Sequence, residues 1–248
     1  MKKNVLVCVR KLTGFFVLGL VIFGTGCATS GRAIITERDP IALVSVISNW
    51  DINWKGEDSL DPSSPGFLIN RALRADPDSV FISNAEELIY TAEMLIRNII
   101  EESHLINLAE RELVLSSRAY QEAEENRHLL RRNIVKPGDH RFINSGNRDF
   151  LTALAEETGI QRSMFVEFNF TKAMVSGFGK SGTLRAELNM NVIIVDARGR
   201  TLYRRAFPSW SRDTIRVSSG VYNHIALLEL FNTAIIDAVY DFLEHLER

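Results

Sequence analysis

The chain has 248 residues, 46% of them apolar, with 29 Lys plus Arg against 31 Asp plus Glu and a formal net charge of −2. That is the composition of an ordinary globule, enough for one good-sized domain, with no internal repeat or low-complexity tract. The absence of a basic excess argues against a nucleic-acid partner, which would call for a basic stripe.

Lys2, Lys3, Arg10 and Lys11 precede an uncharged apolar run from Leu12 to Phe23, the plan of an export signal. The run is short of the roughly 20 residues that span a bilayer as a helix. An uncleaved membrane anchor is the alternative reading. Gly24-Thr25-Gly26-Cys27 resembles a bacterial lipobox, with Gly24 where such motifs usually carry Leu. The resemblance implies a signal peptide over 1–26 and a diacylglyceryl group on Cys27, which becomes the new N-terminus. Hydrocarbon burial at about 0.8 kcal/mol per CH₂ then holds the protein on a membrane. Ala28 is not the Asp that retains some lipoproteins at the inner membrane, so the outer membrane, facing the periplasm, is expected. Cleavage would remove four basic groups and Cys8, leaving 222 residues with a net charge of −6 and no possible internal disulfide.

Residues 27–40 are mostly small or polar and predict a lipidated tether spanning on the order of 20 Å. A folded body is expected over 41–248. Ile41–Trp50 predicts a buried strand, and the Pro-rich text at about 51–82 a loop insertion, with a short helix at Phe67–Arg74. Ser83 and Glu86 make a capping box for a helix whose stripe is Leu88, Ile89, Ala92, Leu95, Ile96, Ile99 and Ile100. A short strand is expected at 105–109, then charge-laced helical text up to Arg132. Lys136-Pro-Gly-Asp-His140 breaks the pattern.

A helix is expected from about Arg148, closed by Gly159 in a left-handed cap. Met164, Val166, Phe168 and Phe170 then share one face of a strand, opposite Glu167, Asn169 and Thr171. Leu184, Ala186, Leu188, Met190, Val192 and Ile194 repeat the alternation. Between them lies GFGKSG, residues 177–182, which invites a phosphate-loop reading. The Walker spacing would need glycine at Met174 and a helix directly after, so the segment predicts a hairpin turn with Lys180 and Ser181 solvated at its tip. A second turn, Asp196–Gly199, makes a three-strand meander with Thr201–Phe207. Ile225, Leu228, Phe231, Ile235, Val239, Phe242 and Leu246 form the stripe of a long C-terminal helix, which packs on the meander or docks elsewhere. The fold class is therefore α/β (α+β), a single domain with a mixed sheet packed by amphipathic helices.

Catalytic chemistry finds little support. His104, His128, His140, His224 and His245 show no paired metal-ligand spacing, GxSxG is absent, and the adjacent acidic pairs diverge on their helices. Asp139-His140 is the single pairing with acid–base potential. No metal and no cofactor are expected, and the protein is expected not to be an enzyme. Trp50, Trp54 and Trp210 fall near strand ends, as rim packing or as part of a protein- or glycan-recognition surface. Arg198, Arg200, Arg204, Arg205, Arg212 and Arg216 crowd one region, with Lys180, either as a salt-bridged surface or as a basic patch for an acidic partner or phosphorylated headgroups. Arg198, Arg200, Arg204, Arg205 and Trp210 are the candidate partner surface.

The order of elements, with Leu154-Ala-Glu-Glu-Thr-Gly159 before MFVEFNF and Val195-Asp-Ala-Arg-Gly-Arg200 before TLYRRAF, resembles the α/β domain of the curli-secretion lipoprotein group. That group includes the penicillin-binding-protein activator lipoproteins and the amino-terminal domain of the Tol-system propeller protein. The resemblance covers most of residues 41–246 and implies a non-enzymatic envelope protein that binds a partner or self-assembles. The insertion at 51–82 has no counterpart there, and the hairpin loop is too short for pore-forming strands. The expected function is a membrane-anchored bacterial envelope lipoprotein acting as a binding or assembly module. The alternative is a carrier of a lipid or other apolar ligand between the meander and the terminal helix.

Overall fold

A computed structural model describes residues 39–55, 85–126, 134–178 and 180–248. The signal segment, Cys8, Cys27, most of the tether, Ser83, His128 and the expected helix at Phe67–Arg74 lie outside these residues. The strands are β1 (Ile41–Asn49), β2 (Asn53–Trp54), β3 (Ile134–Val135), β4 (Arg162–Phe178), β5 (Ser181–Asp196), β6 (Thr201–Trp210), β7 (Ile215–Ser218) and β8 (Val221–Tyr222). The helices are α1 (Glu86–Ser103), α2 (Arg111–Leu115), α3 (Arg118–Glu122), α4 (Arg148–Thr158) and α5 (His224–Glu247).

All strands join one mixed sheet in the order β3-β1-β4-β5-β7-β8, with β2 beside β4 and β6 beside β5. β1 and β2 both run parallel to β4 along its length. Where β1 leaves β4, the Asn49 side chain substitutes for a strand backbone: its Oδ1 accepts from Phe170 N at 2.7 Å and its Nδ2 donates to Phe170 O at 2.9 Å. β4, β5 and β6 form the expected antiparallel meander, pairing Phe178 with Ser181 at the hairpin tip. β6 pairs only with β5, so among the described residues its outer edge is unpaired.

One sheet face is covered by α1 and α5. Leu43, Val46, Met164, Val166, Phe168, Phe170 and the alternating apolar set of β5 pack there against Leu88, Ile89, Ile96, Phe231, Ile235 and Phe242. Among the described residues, the opposite face is covered at one end, where α2, α3 and α4 bring Val114, Tyr120, Phe150 and Leu154 onto Val44, Phe165 and Val195. A bulge between Leu43 and Ser45 turns Ser45 and Ile47 toward this second face.

Several expectations change. The strand expected at 105–109 is a single bridge, Leu108 beside Ile41, because the segment only crosses the start of β1. Among the described residues up to Asn126, the expected helix is two short helices, α2 and α3, and its stretch from 127 to Arg132 lies outside the described residues. Ser116 Oγ bonds back to Glu112 O at 2.5 Å, and Ser117 caps a new helix by accepting from Tyr120 N at 3.2 Å. Such local side-chain bonds compete with helix continuation. α1 starts after Ala85, which makes no side-chain cap bond. The insertion expected from 51 begins with β2. Ile225 leaves the α5 stripe at 68% exposure, and Leu227 and Leu230 take its place in the core. Gly159 holds φ 77° at the end of α4, as its position requires.

Candidate functional site

Beyond that helical cover, the second sheet face presents, among the described residues, rows of polar side chains. Strand pairing sets its rows: Ser45, Phe165 and Ile193 lie under the helical cover, followed outward by Ile47, Glu167 and Asn191, then Asn169 and Asn189. Farther along, Lys55 Nζ and Arg185 Nη2 each reach the Glu187 carboxylate at 2.6 Å. Burial pushes the Glu187 carboxyl up, but Lys55 and Arg185 outweigh it and hold its pKa below the ordinary value. The Arg185 guanidinium stands 5.5 Å from the centre of the Trp210 ring, which is 54% exposed. An aromatic ring gripped by a cation is a preorganised contact surface.

The candidate partner residues do not form one patch. Arg198 and Arg200 sit on the β5–β6 turn, where Arg200 Nε bonds Asp196 Oδ2 at 2.6 Å. Ten strand residues at about 3.3 Å each put Trp210 roughly 30 Å away. Arg204 and Arg205 are neighbours and therefore face opposite ways: Arg204 lies on the open face, beside Ile193, while Arg205 Nη1 meets His245 Nε2 of α5 at 2.7 Å. Arg212 pairs with Asp237 at 3.5 Å, and Arg216 is on β7. Trp50 and Trp54 are half-buried against the main core. Lys180 is more than a solvated tip residue: its Nζ stands 5.7 Å over the Trp54 ring, and its carbonyl accepts from Gly220 N at 2.7 Å.

The Asp139-His140 pair does not face itself. Asp139 Oδ1 accepts from Arg111 Nη2 at 2.5 Å, and the His140 ring turns inward until Nε2 is 2.9 Å from Glu93 Oε1, off the hydrogen-bond line. Arg97 Nε and Arg111 Nε also donate to that oxygen, at 3.2 and 2.9 Å. Glu93 and His140 are each 1% exposed, so no substrate reaches them. Burial pushes the Glu93 carboxyl up, yet the His140 ring and the Arg111 guanidinium hold it down at about 2. Glu93, Asp139 and His140 bring ligand atoms within 4.8 Å of one another, a spacing that suits a divalent cation. Arg111 bridges both carboxylates and places a guanidinium where that cation would sit, so the cluster acts as a buried clasp between α1 and the 136–140 loop. Sequence reasoning missed Glu93. The available signal was its i,i+4 spacing to Arg97 on a helix flank that also carries Ile89, Ile96 and Ile100.

No protein-family model and no curated protein matches the chain. Among the described residues, no helix is long and apolar enough to cross a membrane.

Proposed function

We propose that the protein is a lipid-anchored bacterial envelope lipoprotein, held on the membrane through Cys27, that works as a non-catalytic binding or assembly module. The observation that carries the binding role is the half-covered sheet. Among the described residues, one face is sealed by two long helices, while the other presents an ordered polar surface and the unpaired edge of β6, which suit a protein partner. Arg204 and Trp210 lie on that surface. Arg198 and Arg200 flank one end of the same strand. The carrier reading is disfavoured because Phe170 with Phe231, and Phe207 with Phe242, meet at 5.3 and 5.6 Å and occupy the space between meander and α5.

The test has two arms. Intact mass of the membrane-derived protein should match residues 27–248 plus a diacylglyceryl group and an acyl chain, lost in Cys27→Ala; an unmodified mass overturns the anchor. Photocrosslinking in envelopes from position 206, on the open face, should give an adduct that position 240, on the outer side of α5, does not. Equal labelling from both positions overturns the assignment of the surface.

A further inference from the structure

We propose that the pocket at the step between the covered and open halves of the second sheet face is a binding site for a saccharide. The loop Ile143–Ser145 overhangs the sheet there and closes a cavity of about 100 Å³ over Phe165 and Ile193. Asn144 also borders an outer groove of about 310 Å³ that runs past Asn126 and Asn147. The outer groove by itself has the size at which small-ligand sites begin, roughly 300 Å³, and Asn144 stands on the wall of both.

One atom marks the inner cavity as unfinished. Ser45 is 2% exposed, lines the cavity, and its Oγ has no hydrogen-bond partner. A buried hydroxyl left unsatisfied costs on the order of 1–3 kcal/mol, and most buried polar groups avoid that. A ligand hydroxyl seated in the cavity satisfies Ser45.

The overhanging wall is built in advance. Phe142 N donates to Glu125 Oε1 at 3.1 Å, Asn126 N donates to Phe142 O at 2.7 Å, and Gly146 N donates to Asn144 Oδ1 at 2.5 Å. A wall already held by one backbone bond and two backbone-to-side-chain bonds loses little entropy when a ligand binds.

The lining selects the ligand class. Phe165 and Ile193 offer an apolar floor for the C–H face of a ring, and Ile143 adds an apolar side chain from the overhanging loop. Ser45, Ser145, Asn144 and Asn191 place hydroxyl and amide groups, which both donate and accept, around it. Anions are disfavoured by Glu124 and Glu125 in the outer groove and Glu167 in the inner one. Cations gain less than this count suggests, since Glu124 and Glu167 already have partners and Glu125 caps Phe142. A neutral polyhydroxylated ring meets every group. The site lies on the same sheet face as the proposed partner surface, with Asn191 and Ile193 beside Ala206 and Arg204 of β6, but Trp210 and the lipid anchor take no part in it.

The experiment is saturation-transfer NMR on the full-length protein in a sugar-free detergent, with glucose, galactose and N-acetylglucosamine as probes in the millimolar range. At least one sugar should receive saturation, and Ser45→Val should weaken it roughly tenfold, the value of about one hydrogen bond. The Tm of Ser45→Val should equal or exceed that of the wild type, because the orphaned hydroxyl is gone. If Ser45→Val proves unstable, Asn191→Leu on the half-buried side gives the same comparison. Absence of saturation for all three sugars, or unchanged binding in a folded variant, overturns the proposal and leaves Ser45 with an ordered water only.

Discussion

Arg111 places its Nε 2.9 Å from Glu93 Oε1, joining α2 to a carboxylate buried on the flank of α1. Neither residue stabilises the fold by itself, since an uncompensated buried charge is costly. Glu93→Gln should therefore destabilise by roughly 3–5 kcal/mol, because it leaves Arg97 and Arg111 facing a neutral group. Glu93→Gln combined with Arg111→Met should cost less than the sum of the two single changes, read from urea midpoints as a double-mutant cycle.

The same carboxylate sets a pH dependence. Its folded pKa of about 2 lies below the ordinary 4.5, so the folded state favours the charged form. Its contribution to stability should be fully present above about 4.5 and lost as pH falls toward 2. Thermal melts across that window should show a fall in Tm that is shallower in Glu93→Gln, which has no proton to take up. An identical acid profile in both proteins would refute the assignment.

Tyr120 ties the second core to the loop beside that clasp. Its hydroxyl donates to Val44 O at 3.1 Å and accepts from Arg141 N at 2.9 Å, and burial pushes its pKa up to about 12. Tyr120→Phe keeps the ring and orphans both backbone groups, so a loss of about 1–3 kcal/mol is expected. Hydrogen exchange at Arg141 N should accelerate in the variant.

The hairpin tip offers a backbone test. Gly177 and Gly182 pair across β4 and β5 with φ 113° and 150°, and a Cβ on either would stand 2.1 or 2.0 Å from a facing carbonyl oxygen. Gly182→Ala should destabilise by about 2 kcal/mol and lower Tm by roughly 4–8 °C. Lys180→Ala should have a smaller effect, because it removes one cation–π contact with Trp54 and leaves the turn backbone intact.

What was legible in the sequence was local. The alternation from Met164 to Phe170 and from Leu184 to Ile194, the glycines of the first turn, and the left-handed cap at Gly159 appear as expected. Each follows from backbone geometry within a few residues, where side chains alternate on a strand and only glycine accepts certain angles without strain. The apolar run Ile41–Ile47 announced a strand without naming its neighbour, and its parallel pairing with β4 depends on residues more than a hundred positions later.

The candidate sites were less legible for the same reason. Arg204 and Arg205 looked like one patch until the sheet sent them to opposite faces, and Glu93 drew no notice in the sequence although Arg111 and His140 close over it in the fold. Ser45 stood inside an apolar strand and gave no sign of a cavity. By itself, then, the sequence determined which residues are strand, turn and helix over most of the body, because short-range geometry suffices. Only the tertiary structure decided which face is sealed, which is open and where a buried charge or hydroxyl meets its neighbours, because those contacts join segments that sequence spacing keeps far apart.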